Sequence, residues 1–418
     1  MKKIFLLTCL LVFTFFSYGQ ILKKITDRTK NNANNKVNNT ANKTVDDAMN
    51  PDKNNNSVDT TRKKEDSTTS ITKSETSPAS FKAYSKYDFV PGEKIIGFED
   101  FSTGSIGDFP AGWNTTSSGE LVTIENKPGR WLWFTRPGVF TPEFPEPFPE
   151  DFTFEFDLLH GIPINGANFT VAIAELINRE QPQNWVMSSN QFTIELSTAN
   201  TGTENGVTRF TGRKNSSSNI QNGGGSNILN DKNNPVHVSI WRQKERVRVY
   251  VNQEKVWDIP KGAAIDAKFN SIVFSVTYAE EVVKHFIGNL RLAVGALDTR
   301  KKILEQNKWV THGILFDVNS ATIRPESYGT VKEMANVLKE YADLKVKIVG
   351  HTDADGKDDT NLDLSKHRAE SVKAALAKEF GIDENRMETD GKGESEPIDK
   401  NDNPAGKANN RRVEFIKI

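Results

Sequence analysis

From Phe152 onward the side chains alternate: Phe152-Thr153-Phe154-Glu155-Phe156-Asp157-Leu158 sets three phenylalanines and a leucine on one face and polar groups on the other. A period of two is the signature of an extended strand with one dry face. Val247-Arg248-Val249-Tyr250-Val251 alternates in the same way, and Asn252-Gln253 then begins a tight turn into Lys255-Val256-Trp257. Ser271 to Val276 and Phe286 to Leu292 repeat the pattern. Short runs of this kind, separated by Gly, Pro and Asn clusters, predict an all-β sandwich or barrel over residues 89–298.

The chain before residue 89 reads differently. Lys2 and Lys3 precede an apolar run, Ile4 to Phe16, with small residues near Gly19. The run is too short for a finished membrane helix, so residues 1–19 are expected to be a cleaved secretory signal. Between residues 21 and 80 there are 11 asparagines and no aromatic residue. Such a stretch buries too little apolar surface to offset its chain entropy, so residues 20–88 are expected to be a disordered tail. Hydrophobic residues make up 36% of the 418, low for a fully folded chain, and the length suits two or three domains. Cys9, the one cysteine, lies inside the signal, which excludes an internal disulfide, a cysteine zinc site and a thiol redox pair. The net charge of −1 falls to −3 without Lys2 and Lys3, and neither value offers nucleic acid an electrostatic footprint.

Pro235-Val236-His237-Val238-Ser239-Ile240-Trp241-Arg242, with the hairpin Val247 to Val256 after it, resembles a strand pair of laminin-G/concanavalin-type jelly rolls. Phe98-Glu99-Asp100-Phe101 and Ile287 to Leu292 are similar to that group's first and last strands. The resemblance implies a jelly-roll sandwich that presents a surface to glycan or to an envelope protein. Six of the seven tryptophans lie here, and Trp131 and Trp133 share one strand face, which fits a sugar-stacking platform or a core layer. Laminarinase-like glycosidases of this fold carry Glu-x-Asp-x-x-Glu on one strand. Glu155-Phe156-Asp157-Leu158-Leu159-His160 has histidine where the second glutamate belongs, so the carboxylate pair of a retaining hydrolase is incomplete. A carbohydrate-active enzyme is therefore a runner-up only. An outer-membrane β-barrel is another, opposed by the proline-rich stretch Pro142 to Pro149, which breaks any ladder.

Past a linker at 299–308, residues 309–418 alternate strand and helix. Gly313 to Val318 predicts a strand, and Arg324-Pro325-Glu326 starts a helix that buries Val331, Met334, Ala335, Leu338 and Tyr341. Val346 to Gly350 predicts a second strand. Leu362 to Phe380 predicts a second helix stopped by Gly381, and Arg412 to Ile416 a last strand. The fold class is thus a multidomain chain, an all-β sandwich followed by a small α+β domain.

Five blocks then stand in order: Phe316 to Ser320, Gly350 to Gly356, Asn361 to Ala369, Gly391 to Glu394 with Pro397, and Asn410 to Phe415. Together they resemble the OmpA-like peptidoglycan-binding domain along nearly all its length. The resemblance implies that Asp353 and Arg368 grip the diaminopimelate of the wall's stem peptide, and that Thr352, Asn319, Leu364 and Ser365 line the same cleft. The chemistry agrees, since that residue ends in an ammonium beside a carboxylate and wants one anion and one cation close together. Asn361, near the helix start, offers a further contact beside free backbone donors. Asp317 either touches the ligand or orders the cleft loop, and Arg411 and Arg412 either reach the cleft or pin the last strand.

No metal or other cofactor is expected. Asp353-Ala354-Asp355-Gly356 brings its glycine too early for a calcium loop and no glutamate closes it, while His351 and His367 lack the spacing of a ligand pair. The expectation is a non-enzymatic, exported protein, periplasmic or attached to the outer membrane of a Gram-negative envelope.

Overall fold

The computed structural model describes residues 87–161, 168–198, 205–230, 234–279, 283–295 and 299–418. The expected signal and all of the tail up to residue 86 lie outside the described residues.

Among the described residues the alternating runs build two antiparallel sheets. The first has eight strands, in the order Glu254–Ile259, Arg246–Val251, Val236–Gln243, Asp151–His160, His285–Val294, Lys127–Phe134 and Gly119–Ile124, with Lys94–Glu99 also paired to His285–Val294. The second has seven, in the order Ser217–Ser226, Gly206–Lys214, Gln191–Ser197, Asn168–Ala174, Ser271–Val276, Gly138–Pro142 and Trp113–Thr115. Phe152, Phe154, Phe156 and Leu158 meet Phe169, Phe192, Ile194 and Phe274 of the facing sheet in one continuous core. The result is a filled β-sandwich rather than a barrel. Trp113 and Trp131 are buried, whereas Trp133, Trp185, Trp241 and Trp257 are half-buried. Trp131 and Trp133 share the outer face of the first sheet with Leu159 and Phe286.

The polar face opposite the phenylalanines is itself buried: Thr153, Glu155 and Asp157 are only 1%, 2% and 6% exposed. The C-terminal domain and the segment Tyr87–Pro91 cover that face, and each polar group is answered there. Thr153 Oγ1 accepts from Gly92 N at 2.9 Å, Arg291 and His237 reach Glu155, and His237 and Asn289 reach Asp157. Tyr87, assigned to the tail from composition, is fully buried beside Phe89, Tyr250 and Tyr328, and its hydroxyl donates to Glu326 O at 3.2 Å. Gly329 makes this approach possible: a Cβ there would lie 1.9 Å from Phe89 O.

The C-terminal sheet runs Lys308–Thr311, Val413–Lys417, Val346–His351, Met387–Gly393, with the last two parallel. Helices α1 (Thr299–Glu305), α2 (Tyr328–Glu340), α3 (Asp358–Phe380) and α4 (Pro404–Asn410) accompany it. The helix over α2 buries Val331, Met334, Ala335 and Leu338 as its spacing predicts. α3 begins a turn earlier than Leu362, with Asp358 and Asp359 in the first turn where the helix dipole favours carboxylates. It ends at Gly381, whose φ of 69° closes a left-handed cap.

Two local expectations differ. The stretch taken as a linker carries α1, whose Ile303 is buried in the C-terminal core. The strand expected at 313–318 is reduced to one bridge, Phe316 with Ile323. Leu315 gives its N–H to Ser327 Oγ and its carbonyl to Arg324 N, so its backbone is spent on the loop before α2. The sheet edge goes instead to Lys308–Thr311, paired with the last strand.

Candidate functional site

Where the C-terminal domain meets the first sheet of the sandwich there is a cavity of about 440 Å³. Asp353, Arg368, Asn361, Thr352, Asn319, Leu364, Asp317 and Arg412 all line it, so eight of the nine residues singled out from sequence converge on one space. Ser365 is the exception. Its buried hydroxyl donates to Leu362 O at 2.7 Å and accepts from Gly393 N at 2.9 Å, tying α3 to the neighbouring strand.

Asp353 follows the strand Val346–His351, and Arg368 projects from α3. The two are not ion-paired. Asp353 instead pairs with Arg411, while its other oxygen accepts from Asp355 N at 3.2 Å. Arg368 donates from Nε to Ser320 O at 3.0 Å and stacks its guanidinium 4.9 Å from the Phe316 ring centre. Burial and the neighbouring Arg411 lower its pKa to about 10, against the opposing pull of Asp353. A half-buried cation with no carboxylate partner is costly unless an anion arrives. The hydroxyl of Thr352, 5% exposed as a residue, also has no partner among the described residues. Both groups line the cavity with hydrogen-bonding capacity that a polar ligand can use.

The remaining positions shape the space. Asn361 is buried and gives its amide to Asp353 O at 3.3 Å, Asp355 O at 3.1 Å and Glu394, which ties down the loop carrying Asp353. Asp317 and the positive-φ Asn319 are exposed on the loop before Ser320, where Ser320 N donates to Asp317 O. Arg412 is 4% exposed and engaged by Glu414 at 2.8 Å and Glu396 O at 2.9 Å. Burial alone would raise the Glu414 carboxyl, but His351, Lys308 and Arg412 hold it down to about 2.

The far wall belongs to the sandwich, and nothing in the local sequence signals it. His237 lies between Asp157 at 2.6 Å and Glu155 at 3.2 Å. Burial would lower its pKa, but these two carboxylates raise it to about 10, so it is an imidazolium at neutral pH. Arg291 donates to Glu155 at 2.6 Å and to His312 O at 2.6 Å, joining the two domains. Phe98, Asp100 and Asn289 complete the wall, and Arg411 sits 5.2 Å over the Phe98 ring. Among the described residues no group of three or more His, Cys, Asp or Glu is placed to hold a metal ion. No described helix is long and apolar enough to cross a membrane.

Residues 315–411 match the OmpA family. "Probable lipoprotein YiaD" of Escherichia coli is 44% identical over 104 residues, 25% of this chain and 47% of that protein. "Outer membrane porin F" of Pseudomonas fluorescens is 42% identical over 101 residues, 24% of this chain and 31% of that protein. Each match thus spans less than half of the relative. The crystal structure of the peptidoglycan-associated lipoprotein from Burkholderia pseudomallei is 27% identical and aligns with 28% of this chain and 92% of its own, at a TM-score of 0.24.

Proposed function

We propose that the OmpA-family domain holds peptidoglycan noncovalently through the diaminopimelate of its stem peptide, in an exported protein that is periplasmic or attached to the outer membrane. The observation that carries this reading is the unpaired Arg368 beside Asp353 on one partly enclosed cavity. Arg368 takes the ligand's carboxylate, and Asp353 accepts from its ammonium. Hydrogen bonds to charged groups are worth about 1.5–3 kcal/mol each net, so two or three give affinity in the micromolar range. Thr352 supplies a waiting hydroxyl, Asn319, Leu364 and Asp317 border the space, and Asn361 and Ser365 hold the loop and strand that frame it. Arg412 acts through the last strand rather than by touching ligand, as its spent guanidinium indicates. The match of residues 315–411 to the OmpA family agrees with this chemistry.

The protein is a binder rather than an enzyme in this reading. Glu155 and Asp157, the carboxylates nearest to a glycosidase pattern, are locked by Arg291 and His237. We read the sandwich as of laminin-G/concanavalin type, presenting a surface to a glycan or an envelope protein near the half-buried Trp133, over whose ring Lys284 lies at 5.1 Å.

Co-sedimentation of the full chain with purified cell wall tests the wall-binding reading. Asp353→Ala and Arg368→Ala each abolish pelleting. Wild-type pelleting by both variants would show that this cleft is not the binding site.

A further inference from the structure

The cavity that holds Asp353 and Arg368 is bounded on its other side by Phe98 and Asp100, at the end of the strand Lys94–Glu99, and by Asn289. Its charges are unevenly answered. Arg411 satisfies Asp353. Among the described residues Arg368 has a carbonyl and an aromatic ring but no ion pair. Of the carboxylates that line the cavity, Glu155 is taken by Arg291, Asp157 by His237 and Asp355 by Lys407, while Asp317, on the loop of the C-terminal domain, has no ion pair among the described residues. Asp100, from the sandwich, accepts the backbone N–H of Ser102 at 3.0 Å and has no cation partner among the described residues. The space therefore holds an unanswered cation from one domain and an unanswered anion from the other. The buried, partnerless hydroxyl of Thr352 lies on the same surface. The sandwich also governs the residue that occupies Asp353, because Phe98 carries the Arg411 guanidinium.

We propose that the β-sandwich completes the binding site, Asp100 joining Asp353 around an ammonium whose neighbouring carboxylate sits on Arg368. The ligand is then a compact zwitterionic peptide end held between two domains, not a length of wall polymer lying along an open groove. A cavity of about 440 Å³ suits a ligand of that size. The proposal rests on the peptidoglycan reading above and narrows it to free stem-peptide ends.

Calorimetric titration of the full chain with the soluble tripeptide L-alanyl-γ-D-glutamyl-meso-diaminopimelate tests it. Asp100→Asn keeps the acceptor for Ser102 and removes the charge, and its thermal unfolding checks that the fold is intact. It weakens tripeptide binding about 10-fold, the loss of one charge-assisted contact. Phe98→Ala changes the affinity as well, by freeing the Arg411 guanidinium that shares Asp353 with the ligand's ammonium, and Asp100→Glu, which keeps the charge, loses less than Asp100→Asn. Wild-type affinity in Asp100→Asn and Phe98→Ala, with Asp353→Ala and Arg368→Ala inactive, overturns the two-domain site and leaves the wall-binding reading standing. Wild-type affinity in Asp353→Ala and Arg368→Ala overturns that reading itself.

Discussion

The side-chain amide of Asn409 stands beside the backbone of Ile95 like a missing strand neighbour. Its Nδ2 donates to Ile95 O and its Oδ1 accepts from Ile95 N, both at 2.9 Å, across 314 residues of chain. Asn409 is 3% exposed and closes α4 onto the first strand of the sandwich. The two domains are thereby joined through groups that would otherwise be buried and unpaired.

Asn409→Ala strands the Ile95 N–H and C=O. An unsatisfied buried polar group costs about 1–3 kcal/mol, so a loss of about 2 kcal/mol or more is expected in urea denaturation of the full chain. A change within experimental error would mean that the interface does not depend on this staple.

Stability against pH should peak near neutrality, for reasons of opposite sign. His237 is raised from 6.5 to about 10 by Asp157 and Glu155 in spite of burial, so its contribution is complete below pH 6.5 and is lost as pH rises toward 10. Burial pushes His285 and His312 down to about 4, so their neutral forms contribute above pH 6.5 and that contribution is lost as pH falls toward 4. Each slope is at most about 1.4 kcal/mol per pH unit per group. His237→Gln flattens the alkaline limb in a series of denaturation midpoints from pH 4 to 10, and it weakens the acid side as well, because His237 also holds the Asp157 and Glu155 carboxyls down. Stability that climbs from pH 7 to 9 would contradict the assignment.

The two adjacent arginines separate by consequence. Arg412→Ala leaves the buried Glu414 without one of its cations, and breaking a buried pair costs about 3–5 kcal/mol, softened here because Lys308 still lies 2.7 Å away. Arg411 is half-buried, so Arg411→Ala changes stability by about 1 kcal/mol or less. Thermal unfolding of the two variants side by side gives the answer, and equal losses would show that Arg411 is as structural as its neighbour.

Gly329→Ala tests the strap at residues 87–91. A methyl 1.9 Å from Phe89 O cannot be accommodated without displacing Tyr87 and Phe89 from their pocket. Faster proteolytic cleavage near residue 90 is expected, and an unchanged rate would mean that α2 and the strap shift together.

Much of this protein was legible from local pattern. The period-two runs specified the strands of the sandwich, because a side chain's face in a strand follows from its parity alone. Helical spacing specified the buried side of α2, and the left-handed requirement at Gly381 specified where α3 stops. Asp353 and Arg368 were singled out by the resemblance of their blocks to a known domain rather than by local pattern, and both line one cavity, Asp353 beyond a strand end and Arg368 on a helix. Tertiary structure decided the rest. Thr153, Glu155 and Asp157 read as a polar face, and no local signal shows that a second domain covers them. Arg411, 58 residues away in sequence from Asp353, became its partner because the last strand returns beside the strand that carries it. Asp100 and Phe98 came to line the same space through a packing contact between domains. Strand and helix periodicity are properties of neighbours in the chain, whereas pairing of charges and closure of a cavity depend on surfaces that meet only after each domain has folded.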